Sequence, residues 1–235
     1  VSFPFSVIVS DQERRYTQPF NQYGISPTYK WITVHAGWRN LEFSPFTLAG
    51  HNFLGGGIEL NPGKIRFGFM YGRFKKAIEE NVGQPTLLTD EASYKRTGFS
   101  TKLGFGTERN HVDLIILKAK DDINSLSNTP SNIFITPAEN LVLGISSKFS
   151  FFKYFGFHID VSGSAYTRNV QSDSLKNLDL WKYEFVRDWI TLNASTRVST
   201  AGETSLSYTR SNYNVKAKYR RVDPDYKSMG AYHFE

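Results

Sequence analysis

The sequence predicts an all-β protein, an antiparallel transmembrane β-barrel or part of one, and three observations carry that prediction. Large apolar side chains alternate with glycine, serine and basic residues through many segments of about ten residues. The connections between those segments alternate between tight turns and long polar links. Tryptophan and tyrosine gather near the segment ends.

The alternation is clearest in "KIRFGFMYGRF" at 64–74. Ile65, Phe67, Phe69 and Tyr71 fall on one side of an extended chain, and Lys64, Arg66, Gly68 and Gly72 on the other. In "RTGFSTKLGFG" Thr97, Phe99, Thr101, Leu103 and Phe105 oppose Arg96, Gly98, Ser100, Lys102 and Gly104. In "NLVLGISSKFSF" Leu141, Leu143, Ile145, Phe149 and Phe151 oppose Asn140, Gly144, Ser146, Lys148 and Ser150. In "YFGFHIDVSGSAY" Phe155, Phe157, Ile159, Val161 and Ala165 oppose Gly156, His158, Asp160, Ser162 and Ser164. "YNVKAKYRR" sets Tyr213, Val215, Ala217 and Tyr219 against Asn214, Lys216, Lys218 and Arg220. Weaker alternation runs through 1–10, 29–38, 54–60, 111–119, 190–198, 204–208 and 231–234. About twelve strands result, many near the ten residues that a tilted strand needs to cross a bilayer.

The turns "NPG" (61–63), "ERN" (108–110), "FK" (152–153) and "AG" (201–202) are short. The links at 39–53, 76–93, 120–138 and 168–189 are long and polar. Short turns at one end and long loops at the other are the plan of an outer-membrane barrel, with the short turns periplasmic. Counting from these turns puts 211–212 outside the cell and 223–230 in the periplasm. Both chain ends then miss the periplasm, so 1–235 is expected to be an internal segment of a larger single barrel domain. Within 174–189, Leu178, Trp181, Phe185 and Trp189 recur at helical spacing and predict a short helix inserted in a loop. Trp31 and Trp38 mark the two ends of one strand, as interfacial girdles do.

Composition fits this plan. Lys plus Arg number 28 against 22 Asp plus Glu, a formal charge of +6, and aromatic residues make up 15% of the chain. The absence of cysteine excludes disulfides and thiolate metal sites. No apolar run approaches the ~18 residues of a transmembrane helix. Mean hydropathy is −0.40, and membrane barrels also score low because only alternate residues meet lipid.

Two blocks carry a resemblance. "YTQPFNQYGISPTYKWITVHAGWRNLEFSPFTLAGHNFLGGGIELNPGKIRFGFMYGRF" (16–74) resembles a segment of large outer-membrane β-barrel proteins of Bacteroidota. "YRRVDPDYKSMGAYHF" (219–234) resembles a later segment of the same proteins. The resemblance covers roughly a third of the chain. It implies an outer-membrane barrel in a Gram-negative bacterium and supplies no site residues, since the family has no agreed activity.

A charge on lipid at mid-bilayer costs about 2–4 kcal/mol. Ile65, Phe67, Phe69, Phe99, Phe105, Phe155 and Phe157 are therefore expected to face lipid. Arg66, Arg96, Lys102, Lys148, His158, Asp160, Lys216, Lys218 and Arg220 are expected to line a lumen. Such a lumen favours anions unless its charges pair with a plug or with each other. "HVD" (111–113) and "HID" (158–160) each put His and Asp on one strand face, two metal ligands of the three or four required. Solvated lumen residues are the simpler account. His158, Asp160 and Ser162 cannot form a catalytic triad, because same-face neighbours on a strand stand ~6.8 Å apart. "GGG" (55–57) lacks the Lys and Ser/Thr of a phosphate loop, so it marks a bend or a close backbone approach that lets 39–53 fold inward.

The functional expectation is passage or export across the outer membrane by a non-enzymatic barrel without metal or cofactor. The partners expected are outer-membrane lipid and other outer-membrane or surface proteins, not nucleic acid. The alternatives are a scaffold barrel that holds such proteins through its loops, a membrane-embedded hydrolase, and a soluble β-sandwich binding module.

Overall fold

The computed structural model describes residues 2, 4–8, 22–80, 92–128, 130, 134–173 and 187–234. The strands are β1 (Phe5–Ile8), β2 (Gln22–Ile25), β3 (Thr28–Tyr29), β4 (Ile32–Asn40), β5 (Asn52–Leu60), β6 (Ile65–Lys75), β7 (Lys95–Gly106), β8 (His111–Asp122), β9 (Glu139–Phe151), β10 (Phe155–Thr167), β11 (Thr196–Arg210) and β12 (Tyr213–Val222). They form one antiparallel sheet in the order β1-β2-β4-β5-β6-β7-β8-β9-β10-β11-β12, with β3 beside β4. One sheet of sequential hairpins is not a sandwich. β1 and β12 stand at the two ends of the order and do not pair with each other among the described residues.

The alternation read from the sequence sets the two faces. Ile65, Phe69, Tyr71, Leu103, Phe105, Leu114, Ile145, Val161, Leu206 and Val215 are exposed on one face. Such a belt across many strands far exceeds the apolar patches that soluble monomers leave in water. The opposite face is polar or small, and the chain folds back onto it.

That folding back shows that the sheet curls. Residues 41–50, between β4 and β5, lie against the inner face. A Cβ on Gly68 of β6 would come within 2.9 Å of the Phe43 ring, and one on Gly144 of β9 within 2.7 Å of Thr47 Cγ2. The Ser44 hydroxyl donates to Asp160 of β10 at 2.5 Å. The Arg220 guanidinium of β12 sits 5.3 Å from the Phe46 ring centroid. Phe43 and Phe46 thus touch β6 and β12, six strand steps apart in the sheet order, from within four residues of chain, as they do when the sheet curls around the segment.

Several expectations are corrected by the register. Ala201 and Gly202 are not a turn: they pair with Ser162 and Val161 in the middle of β11. Small residues are needed there, since Ala201 packs beneath Phe46 and Tyr226. The segments 190–198 and 204–208 are thus not two strands, and 190–195 lies outside β11. The tight connections among the described residues include 30–31, 61–64, 107–110, 152–154 and 211–212, all at one end of the sheet. The long links and residue 223 are at the other end, which reverses the expected sides of 211–212 and 223–230. Residues 231–234 are not a strand, because Tyr232–Phe234 is a single 3₁₀ turn. The glycines of 55–57 do permit a close backbone approach: a Cβ on Gly55 would come within 2.5 Å of Gly72 Cα. The helix expected over 174–189 lies outside the described residues, apart from 187–189.

Candidate functional site

The inner face is an array of ion pairs built by strand register. Arg66, Gly104 and Asp113 share one row across β6, β7 and β8. Gly104 has no side chain, so the Arg66 guanidinium reaches across it to Asp113 in a bidentate pair at 2.8 and 2.9 Å. Arg96 and Asp121 are direct cross-strand partners and pair at 2.8 and 3.1 Å. Glu59 lies 3.4 Å from Lys102 Nζ and 3.2 Å from His35 Nε2, while His35 Nδ1 bonds Ser26 at 2.7 Å. Lys218 pairs with Glu203 at 2.7 Å. Lys148 and Lys216 make no ion pair among the described residues.

Arg66, Arg96, Lys102 and Lys218 thus have their charges balanced on the wall itself. Asp113, Asp121 and Glu203 were missed as partners, though their parity within β8 and β11 marks them as inward-facing. The paired histidines and aspartates are separated too far for hydrogen bonds: His111–Asp113 is 3.9 Å and His158–Asp160 is 4.0 Å. Lys148 stands between His111 and His158 in the ladder, and its charge opposes a cation there. Among the described residues no group of three His, Asp or Glu is placed to hold a metal ion.

The lumen side is filled by two segments. Residues 41–50 contribute Leu41, Phe43 and Leu48 to an apolar cluster with Phe53, Met70, Phe74, Ile115, Leu117 and Val142 of the wall. Residues 223–234 then lock onto 41–50. The Tyr226 hydroxyl donates to Phe46 O at 2.7 Å and the Ser228 hydroxyl to Thr47 O at 2.7 Å. Ala49 N donates to Gly230 O, and Tyr232 N to Ala49 O, each at 3.0 Å. The wall holds this layer through Asn140, whose Oδ1 accepts from Met229 N at 2.9 Å, and through Ser164, which donates to Lys227 O at 2.5 Å. Burial pushes the Tyr226 phenol well above its ordinary pKa, so it remains a donor at any physiological pH.

Beside this plug, at the long-loop end, is a cavity of about 890 Å³. It is walled by the ends of β6, β7, β8, β10 and β11, by residues of the links at 92–94 and 134–138, and by residues of 224–227. Lys75, Arg96, Arg168, Arg197 and Lys227 line it, against Asp121 and Asp225. The volume lies in the range of small-molecule pockets, about 300–1,000 Å³.

No family model matches the chain, and no curated protein matches it. Among solved structures the chain is similar to OmpTΔL8, a loop L8 deletion mutant of OmpT, an outer membrane protein of Vibrio cholerae. The TM-score is 0.52 at 11% identity, over 95% of this chain and 70% of that one. This finding removes the expectation that the chain is not an enzyme. A likeness at 11% identity carries the fold alone, and a fold does not decide between a catalytic and a non-catalytic protein. What the likeness does establish is the fold: the chain has the all-β architecture of an outer-membrane β-barrel.

Proposed function

We propose that the chain belongs to the wall of an outer-membrane barrel in a Gram-negative bacterium, of the Bacteroidota kind its two sequence blocks resemble. The barrel admits small solutes at its long-loop end and passes them along the inner face when the plug shifts. The observation that carries this reading is the 890 Å³ cavity that opens among the long-loop strand ends and is bordered by the plug. The plug is held against the wall by a few hydrogen bonds, with Asp160, Asn140 and Ser164, and by apolar packing, which are the contacts that must break for it to shift.

Planar-bilayer conductance tests it. The wild type should conduct weakly, and a Tyr226→Ala, Ser228→Ala variant should conduct more. Absence of current in both would overturn passage. It would leave the scaffold reading, which the filled lumen and self-paired wall charges favour. Lipid is the partner of either reading, and other outer-membrane or surface proteins are the partners of the scaffold reading.

A further inference from the structure

We infer that the cavity at the long-loop end binds a phosphate dianion, free or as the monoester of a small solute. This deepens the proposed passage function by naming a ligand class for the same site.

The argument starts from charge. Of the five cations in the lining, Arg96 is satisfied by Asp121. Arg168, Arg197, Lys227 and Lys75 make no ion pair among the described residues, and Asp225 is the remaining acid of the lining. Like charges gathered in a concave wall repel one another and focus a positive field into the space they enclose. A bound dianion removes that repulsion.

Two of these cations rest near aromatic rings. Lys227 Nζ lies 5.6 Å from the Tyr166 ring centroid, and the Arg168 guanidinium lies 5.8 Å from that of Phe134. Arg197 is the direct ladder partner of Tyr166, which puts it on the same face of the sheet as that ring. Aromatic faces that hold the protein's own cations are not platforms for a ligand ring. Recognition therefore falls to the guanidinium and ammonium donors, which suit phosphate oxygens. The cavity has room for more than the anion, which admits a small ester.

The test is isothermal titration of the full chain in detergent at low ionic strength with inorganic phosphate, glucose 6-phosphate and glucose. Binding of either phosphate probe without binding of glucose supports the site, and the two phosphate arms decide between the free ion and the ester. An Arg197→Glu, Lys227→Glu variant with an unchanged far-ultraviolet β spectrum should weaken binding at least tenfold. A Lys30→Glu variant, distant from the cavity, should not. Failure of both phosphate probes, equal binding of glucose, or undiminished binding by the double variant would each overturn the inference. Binding without conductance would keep this site and remove passage; conductance without binding would do the reverse.

Discussion

Replacing Arg66 by Ala should destabilise the barrel by about 2–3 kcal/mol. The Asp113 side chain is 4% exposed and both its oxygens accept from Arg66. Removing one partner of a buried pair leaves an uncompensated charge and costs about 3–5 kcal/mol. Two features reduce the figure here. The Arg66 side chain is 20% exposed, so water reaches the vacated space. His111 Nε2 stands 3.9 Å from the Asp113 carboxylate and compensates in part when protonated.

The assay is urea unfolding in lipid vesicles for Arg66→Ala, Asp113→Ala and the double variant. The coupling energy should be at least about 1.5 kcal/mol, within the range for contacting pairs. Gly104→Ala should lower stability without removing any charge. Its Cβ would lie 2.8 Å from Asp113 Cγ and 2.9 Å from Val112 O, so the pair must open or the strands shift. A coupling below about 0.5 kcal/mol would refute the reasoning, because exposed surface pairs give that much.

Three further outcomes follow from the same geometry. Spin labels at 67, 69, 99, 105, 155 and 157 should show oxygen accessibility typical of acyl chains, and labels at 66, 102 and 158 should not; the opposite pattern would invert the faces. Tyr226→Phe should cost about 0.5–1.5 kcal/mol of plug stability, read as faster hydrogen exchange at Thr47 and Ala49 with the strands unaffected. Asp223 accepts at 2.8 Å from both the Thr200 hydroxyl and its N–H, which hold its carboxyl below the usual 3.8. Because the folded value is depressed, its contribution is present above 3.8 and is lost as pH falls through the lowered value. A carboxyl-carbon titration with its midpoint at or above 3.8 would count against the bond.

The strands and the two faces were legible because both depend on local alternation. A period of two in side-chain direction is a property of each strand alone, so Phe67 and Phe69 could be set opposite Arg66 and Gly68 without knowing any neighbour. The alternation of short and long connections between β4 and β10 was legible for the same reason, and it failed nearer the chain's ends. Ala201 and Gly202 look like a turn in isolation, and only the ladder to Ser162 and Val161 shows that β11 runs through them.

What the tertiary structure decided depends on distant parts meeting. The Arg66–Asp113 pair spans 47 residues and exists because register puts Gly104 between its members. The contact of 41–50 with 223–234 is about 180 residues long in sequence, and nothing local in "SPFTLAG" or "YKSMGAYHF" distinguishes a plug from a loop or a strand. The alternation in 231–234 was real, but packing against Ala49 and Phe46 outweighed it and wound the segment into a turn. Local periodicity therefore determined that this chain is a wall with one apolar and one polar face. Curvature brought distant polar groups within hydrogen-bond reach on the inner side, and that alone decided what packs there and which charges pair with one another.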